Sequence, residues 1–192
     1  VPKNFRNYFI IKFDHPIAYA LDSEGNALPS VTKCKRGCIV GFKTSRRGEP
    51  VIARVASSFI SPAQAQLNLK ELETAGNSME NIMERGRNSW NAALGRIEIG
   101  DDNIDNKRTF YSCLYRCLLF PRMLWERDSD GNVIHYSPYN GKVLPGYMYT
   151  DTGFWDTFRA LFPLLNMLYP DVNMRIQEAL ANVYRESGFL PE

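Results

Sequence analysis

The densest group of side chains able to do chemistry lies between Tyr147 and Arg159. It places Asp151, Trp155, Asp156 and Arg159 where an irregular stretch changes into an apolar, helical pattern. An indole can stack on the C–H face of a pyranose ring, and aspartate and arginine can hydrogen-bond to neighbouring hydroxyl groups. The pattern therefore predicts a sugar-binding site formed by these four residues.

A structural role for the same residues is the alternative. Asp151 could cap the helix, Asp156 could interact with the positive end of the helix dipole, and Trp155 could belong to the core. Asp156 and Arg159 are three positions apart, so an ion pair on one helical face is predicted, which would keep Asp156 ionised. Five residues of helix would turn Asp151 and Asp156 onto different faces, and nothing in their spacing requires the acid and base of a glycosidase.

Cysteines and basic residues form two further motifs. The cysteines occur as two C-x3-C pairs, Cys34/Cys38 and Cys113/Cys117, with no histidine nearby. This spacing differs from the C-x2-C of zinc knuckles, so small apolar thiols are favoured over a zinc site, and a Cys34–Cys38 disulfide stays open. Six basic residues within 33–47 are interrupted by glycines, which favours a solvated hairpin over a nucleic-acid surface.

The composition is that of a folded globular protein. Of the 192 residues, 44% are hydrophobic and 12% aromatic, and the net charge is +2. These values exclude a disordered chain and argue against a protein that works by binding nucleic acid. There is no apolar run of about 18 residues, so no membrane span is predicted. The chain begins at Val1 without a signal-like segment and ends just after a loop signal, so we expect a piece of a longer protein.

Alternating apolar residues predict β-strands in the first third of the chain. The runs are Phe9–Phe13, which we expect to be largely buried, Cys38–Phe42 and Val51–Phe59. Turn-forming residues fill Asp22–Asn26. Because three or four strands cannot close a sandwich, residues 1–60 are predicted to form part of an antiparallel β-sandwich.

The apolar period becomes helical after Ser61. Ser61 is the predicted N-cap of a first helix, with Gln64 reaching back to it. A second helix is predicted to begin near Ser78 and to end at Gly95. Residues 61–100 therefore form a predicted helical linker between a β part and an α part.

The remainder, residues 101–192, is predicted to be helical with one long loop. The loop, Ser129–Tyr149, is rich in Gly, Asn, Asp and Tyr, and a loop of this length usually carries function. Asp171 is the predicted N-cap of the last helix and Gly188 its stop. The predicted helices are Asp105–Phe120, Phe154–Leu168 and Asp171–Glu186.

An ordered series of short blocks resembles glycoside hydrolase family 92. The series covers roughly residues 50–192 and is more specific than any single block. The resemblance implies a partial chain of multidomain β + α architecture: the end of an N-terminal β-sandwich, a helical linker and the first helices of an (α/α)6 barrel. The blocks are Ser58–Ser61, Ala65, Asn68–Leu69, Trp90–Ile97, Lys107–Arg122, Tyr149–Asp151, Phe154–Ala160, Pro163–Leu165 and Gly188–Pro191.

The resemblance also implies an activity. Members of the family are calcium-dependent, inverting exo-α-mannosidases, so hydrolysis of terminal α-mannosyl linkages of glycans is expected, with α-1,2 linkages preferred. Trp155-Asp156-Thr157 matches the family motif that contacts the terminal mannose. Asp156 would then bind sugar hydroxyls and Trp155 would shape the pocket, with Arg159 and Asp151 as supporting residues.

Several expectations follow for what lies outside these residues. The resemblance implies that the general acid, the general base and the Ca2+ ligands belong to other parts of the protein. Asp128–Gly131 has two aspartates but lacks the remaining ligands of a calcium loop, so we predict a turn. A mannose-containing glycan is the expected partner, and a secreted or periplasmic location is expected. The alternative is a non-catalytic carbohydrate-binding or interaction module.

Overall fold

The residues that the structure describes form a mixed α+β arrangement of small antiparallel sheets and six helices. The computed structural model describes residues 2–29, 37–74 and 78–190. Within these residues the elements are, in chain order, β1 (Tyr8–Phe13), β2 (Ile17–Asp22), β3 (Cys38–Phe42), β4 (Ala53–Ser58), α1 (Pro62–Thr74), α2 (Met79–Leu94), α3 (Ile104–Cys117), β5 (Arg122–Met123), β6 (Trp125–Arg127), β7 (Val133–Tyr136), β8 (Val143–Pro145), β9 (Tyr149–Thr150), α4 (Phe154–Thr157), α5 (Leu161–Leu168) and α6 (Pro170–Ser187). None of the helices described is both long and apolar enough to cross a membrane.

The first four strands form two separate antiparallel pairs. β1 pairs with β4 along its whole length, and β2 pairs with β3 with one register shift between Ile17 and Tyr19. The strands predicted at β1, β3 and β4 are confirmed. β2 was not predicted, because apolar residues occur on both of its faces and hide the two-residue period.

The expected burial of β1 is wrong within this chain. Phe9 is 68% exposed and Ile11 43%, and Val55, which pairs with Ile11, is 56% exposed. A sandwich packs such a face against a second sheet, and the described residues do not supply that layer. Assignment of residues 1–60 to a β-sandwich therefore stays a prediction.

The first two helices begin where their caps predict. The Ser61 hydroxyl accepts a hydrogen bond from the Gln64 N–H at 3.0 Å, and the Ser78 hydroxyl accepts one from the Asn81 N–H at 3.2 Å. The predicted return of the Gln64 side chain to the N-cap is wrong, because its amide donates to the Arg127 carbonyl at 2.6 Å. None of the residues of α2 is buried.

A carboxylate joins the end of β4, helix α1 and strand β6. Glu126 Oε1 accepts hydrogen bonds from the Ser58 hydroxyl at 2.9 Å and the Phe59 N–H at 3.0 Å. Its Oε2 accepts one from the Asn68 amide at 2.7 Å. Ala65 and Leu69 of α1 are buried beside this junction. The first family-like blocks of the sequence are thus the residues that hold Glu126.

The predicted loop Ser129–Tyr149 is wrong as one irregular stretch, because β7 and β8 lie within it and β9 begins at its last residue. β6, β7 and β8 form a three-stranded antiparallel meander, and β9 pairs with β5. The strands contain only two to four residues, too few to show an alternating pattern, and their turns contribute the Gly, Asn and Asp that indicated a loop.

Two hairpin turns have the same structure and nearly the same sequence, Asp-Ser-x-Gly-Asn. In the turn that starts at Asp128, the carboxylate accepts the backbone N–H groups of Asp130 and Asn132 at 2.9 and 2.8 Å. In the turn that starts at Asp22, the corresponding N–H groups both lie at 2.8 Å. Their glycines have φ of 83° and 89°, the left-handed region that favours glycine. Both predicted turns are confirmed.

Proline fixes the helix boundaries in the last third of the chain. The single helix predicted for Phe154–Leu168 is wrong: α4 and α5 are separate, so Pro163 lies in the first turn of α5, where a missing N–H is tolerated. The predicted N-cap Asp171 is also wrong, because Pro170 already occupies the first position of α6. Gly188, at φ 82°, ends α6 as predicted.

The core of the helical part lies between α3, α5 and α6. It contains Leu114, Phe162, Leu165, Tyr169 and Ile176. The predicted third helix is confirmed, although α3 ends at Cys117 rather than Phe120. Tyr184 of α6 lies away from this core and is 58% exposed.

Candidate functional site

The predicted sugar-binding residues lie along one continuous segment, from the end of β9 through α4. Asp151 follows β9 and has φ of 66°, which is uncommon for a residue other than glycine. Gly153 is the N-cap of α4, and Trp155 and Asp156 lie in its first turn. Arg159 comes after this short helix has ended. The structure therefore brings all four residues to the same region of the surface.

Asp151 forms an ion pair with Arg122 of β5. The pairing of β5 with β9 sets Arg122 opposite Thr150, so the guanidinium reaches the next side chain along the strand. The hydrogen bond from Arg122 to Asp151 raises the pKa of the guanidinium. Because Gly153 occupies the N-cap of α4, the capping role considered for Asp151 is wrong.

Trp155 lies on the surface rather than in the core. Its side chain is 73% exposed. The guanidinium carbon of Arg159 is 5.3 Å from the centroid of the Trp155 ring and 4.8 Å from that of Phe158, so Arg159 makes cation–π contacts. One face of this indole is supported by a cation, which limits its freedom to rotate.

The predicted ion pair between Asp156 and Arg159 is wrong. α4 ends at Thr157, so the helical spacing that would bring the two side chains together is not kept up to Arg159. Among the described residues, Asp156 forms no hydrogen bond and no ion pair. Its Oδ2 lies beside Gly153, 3.5 Å from the position a Cβ would occupy there. The carboxylate of Asp156 is thus exposed and its acceptor sites are unused by the described residues.

A cavity of about 280 Å³ lies beside this segment. One wall is polar and includes Tyr139, Tyr149 and Asp151, while α6 contributes an apolar floor that includes Ile176 and Leu180. Burial raises the pKa of the Tyr149 hydroxyl, which favours its neutral, hydrogen-bonding form. A polar wall over an apolar floor suits a ligand that has hydroxyl groups on one side and C–H groups on another.

Comparison with known proteins decides the family. The model of the glycosyl hydrolase family 92 catalytic domain matches residues 64–192. The chain belongs to glycosyl hydrolase family 92. This confirms the family that the sequence blocks resemble. A search of curated proteins found no match for this family 92 chain.

Solved structures of family 92 proteins superpose on the chain. An inverting mannosidase from Bacteroides thetaiotaomicron VPI-5482 is 44% identical, with a TM-score of 0.86 over 100% of this chain and 26% of that one. An α-mannosidase from Bacteroides thetaiotaomicron in complex with mannoimidazole is 26% identical, with a TM-score of 0.78 over 98% of this chain and 26% of that one. The glycosyl hydrolase ccman5 is 23% identical over 94% of this chain and 24% of that one, with a TM-score of 0.71, and shows the fold alone. This family 92 chain spans about a quarter of the length of these relatives.

The described residues of this family 92 chain do not form a metal site. No group of three or more His, Cys, Asp or Glu side chains within 2–29, 37–74 and 78–190 could hold an ion. Cys113 and Cys117 are free thiols. Cys34 lies outside the described residues, so the possible Cys34–Cys38 disulfide stays a prediction. The part of the predicted basic stretch within 33–36 also lies outside them.

Sequence reasoning missed two members of the site in this family 92 chain, Arg122 and Tyr139. Arg122 is 29 residues from its partner Asp151, so only strand pairing brings them together. Arg122 is the last residue of the family-like block Lys107–Arg122, and this position could have indicated that it belongs to the site. Tyr139 lies in the segment that was predicted to be a loop. An aromatic side chain among polar residues could have indicated that Tyr139 belongs to the site.

Proposed function

We propose that this chain supplies part of the mannose-binding site of an inverting, calcium-dependent exo-α-mannosidase that hydrolyses terminal α-mannosyl linkages, with α-1,2 linkages preferred. The observation that carries the proposal is the exposure of Trp155 and Asp156 together, beside the cavity walled by Tyr149 and Asp151. The relatives named as mannosidases support the choice of sugar.

Each side chain has a physical role in this proposal. The Trp155 indole, held by Arg159, offers a rigid face for the C–H groups of mannose. Asp156 has free acceptor sites for two neighbouring hydroxyl groups, and hydrogen bonds to a carboxylate are stronger than neutral ones. Arg122 fixes the Asp151 carboxylate, which can then accept a hydroxyl group at a defined position.

The groups that break the glycosidic bond are proposed to lie outside this chain. An inverting glycosidase needs a general acid and a general base roughly 6.5–9.5 Å apart. In this proposal Asp151 is held by Arg122 and Asp156 binds sugar hydroxyl groups, so neither takes the role of general acid. The Ca2+ ligands are likewise proposed to lie outside the chain, since the described residues offer no metal site. We retain a secreted or periplasmic location as a proposal.

The domain division is also a proposal. Residues 1–60 would form part of a β-sandwich, and residues 101–192 would begin an (α/α)6 barrel. Residues 61–100 would be the helical linker between these two domains. The apolar, exposed face of β1 and β4 supports the first assignment, because a second sheet would cover it. The packing of α3, α5 and α6 around one core supports the last.

Mannose release by the full-length protein tests the activity. The substrates are α-1,2-, α-1,3- and α-1,6-linked mannobiose, with and without a calcium chelator, and NMR identifies the anomer formed first. We expect β-mannose, fastest release from the α-1,2 linkage and loss of activity with chelator. Release of α-mannose first would contradict inversion, and activity indifferent to the chelator would contradict the role of calcium. Binding without hydrolysis would favour the non-catalytic module.

Asp156→Ala tests the site in the same protein. Two hydrogen bonds to a carboxylate are worth roughly 3 kcal/mol together, so kcat/KM should fall by about 100-fold. Asp105→Ala is the matched control, because Asp105 is an exposed aspartate on α3 whose side chain pairs, among the described residues, with Arg108 three positions along the helix. Wild-type kcat/KM in Asp156→Ala would refute the assignment of Asp156.

A further inference from the structure

One side of α6 carries polar side chains that are buried against the meander. Asn182 and Glu186 are four positions apart, so they lie on the same helical face. Asn182 is 8% exposed, the Glu186 side chain is also 8% exposed, and His135 of β7, the partner of Glu186, is fully buried. Burial of such groups is costly unless they form hydrogen bonds. Their partners therefore show what this side of α6 holds in place.

The partners are the backbone carbonyl groups of one short segment. Asn182 Nδ2 donates to the Tyr147 carbonyl at 3.0 Å. His135 Nδ1 lies 2.9 Å from the Gly146 carbonyl, and since a carbonyl can only accept, this nitrogen carries the proton. The other ring nitrogen lies 2.9 Å from Glu186 Oε1. α6 thus holds two successive carbonyl groups, one directly and one through His135.

The segment held in this way leads into the wall of the cavity. Met148 follows and is fully buried, and then come Tyr149 and Asp151. β9 pairs with β5 over only two residue pairs, and two further backbone hydrogen bonds, from Leu124 to Met148 at 2.9 Å and from Gly146 to Val133 at 2.8 Å, flank this pairing. The carbonyl groups of residues 146 and 147 are held from α6 in addition. Asp151 also has a backbone conformation that a non-glycine residue keeps only where its surroundings fix it.

We propose that Asn182 and the His135–Glu186 pair are positioning residues for the sugar site. By fixing the carbonyl groups of residues 146 and 147, they set where Tyr149 and Asp151 stand relative to α6. This inference rests on the proposed function. None of the three lines the cavity, so in this proposal they act on the sugar only through the segment they hold, and their loss raises KM more than it lowers the turnover number.

Two variants break the arrangement and two serve as comparisons. Glu186→Leu removes the partner of His135, and Asn182→Asp keeps the shape of the side chain but cannot donate to the Tyr147 carbonyl. Glu186→Gln is the conservative rescue, because an amide can either donate to or accept from the imidazole nitrogen. Gln177→Leu is the matched control on the exposed side of α6.

The full-length variants are compared by hydrogen exchange of residues 146–151, followed by mass spectrometry, and by kinetics with an aryl α-mannoside. In Glu186→Leu and Asn182→Asp we expect amide exchange to be about tenfold faster and KM to be about tenfold higher. A tenfold change corresponds to the free energy of about one hydrogen bond. The turnover number should stay within about twofold, since a uniform loss of binding raises KM alone. Glu186→Gln and Gln177→Leu should resemble the wild type.

The results separate this inference from the proposed function. Unchanged exchange in Asn182→Asp would overturn the positioning role, as would faster exchange with an unchanged KM, or equal effects in all four variants. If Glu186→Leu does not fold, Asn182→Asp decides. A wild-type protein that releases no mannose would refute the proposed function, while the exchange data would still show whether α6 holds the segment.

Discussion

Replacement of Glu126 should weaken the junction between β4, α1 and the meander. Its two carboxylate oxygens accept three hydrogen bonds, from Ser58, Phe59 and Asn68. Glu126→Ala removes all three. In Glu126→Gln one oxygen becomes an amide nitrogen, which can only donate. That nitrogen should face Asn68, because the opposite orientation would lose the two bonds at Oε1 instead of one.

The hydrogen-bond geometry sets the size of the effect. A hydrogen bond to a charged group contributes about 1.5–3 kcal/mol. The junction is only partly buried, so we use the lower value and expect Glu126→Ala to lower the free energy of unfolding by about 3–4.5 kcal/mol. For Glu126→Gln, which loses one bond and sets two donors against each other, we expect about 1.5–2 kcal/mol.

Urea denaturation of the chain, followed by circular dichroism, measures these differences in free energy. Hydrogen exchange at the Phe59 amide adds a local measurement, since its bond to position 126 should persist in Glu126→Gln and be lost in Glu126→Ala. Glu84→Gln on α2 is the matched control, expected within about 0.5 kcal/mol of the wild type. The reasoning is refuted if Glu126→Ala unfolds like this control, or if the Phe59 amide exchanges equally in both variants.

Three other predictions concern the core and two titrating groups. Ile176→Ala should lower the free energy of unfolding by about 2–5 kcal/mol, measured in urea, because a fully buried side chain leaves a cavity; a loss below about 1 kcal/mol would contradict its place in the core. The hydrogen bond to Asp14 raises the pKa of His15 above its usual 6.5. The stabilising contribution of His15 is therefore complete below pH 6.5 and is lost as the pH rises through the raised pKa. An NMR titration should show the pKa of His15 returning to its usual range in Asp14→Asn. Hydrogen bonds from Asn132 lower the pKa of Asp128 from its usual 3.8. The stabilisation of the turn by the Asp128 carboxylate is therefore complete above pH 3.8 and is lost as the pH falls through the lowered pKa. Asn132→Ala should raise the pKa of Asp128 measured by NMR, and an unchanged pKa would argue against these hydrogen bonds.

Helix starts and turns could be predicted because their hydrogen bonds join near neighbours. Ser61 caps a helix through the N–H three residues ahead, and Gly188 ends one through its own backbone conformation. The meander could not be predicted in the same way. β7 and β8 are stable as strands only because each pairs with a partner elsewhere in the chain, and their few residues carry no independent pattern.

In the candidate site, too, the residue types could be predicted from the sequence, whereas the partners of the side chains could not. The side chains of Trp155 and Asp156 indicated a sugar site, which stays a proposal, and both residues are exposed in the structure. The partner of Asp151 was missed, since Arg122 reaches it through strand pairing. The partner assigned to Arg159 was wrong, because the helix ends before the spacing rule can apply.

The two Asp-Ser-x-Gly-Asn turns show that five residues can determine the same turn conformation at two different places in the fold. They differ only in the middle residue, Glu24 in one and Asp130 in the other. The Asp128 turn joins β6 to β7, whereas the Asp22 turn joins β2 to a segment that bridges back to Leu21 at Ala27. The carboxylate at the first position and the left-handed glycine at the fourth hold the shape without help from the surroundings. Exchanging one five-residue turn for the other should therefore leave both hairpins in register, and the motif could be transplanted as a ready-made closure into other antiparallel sheets.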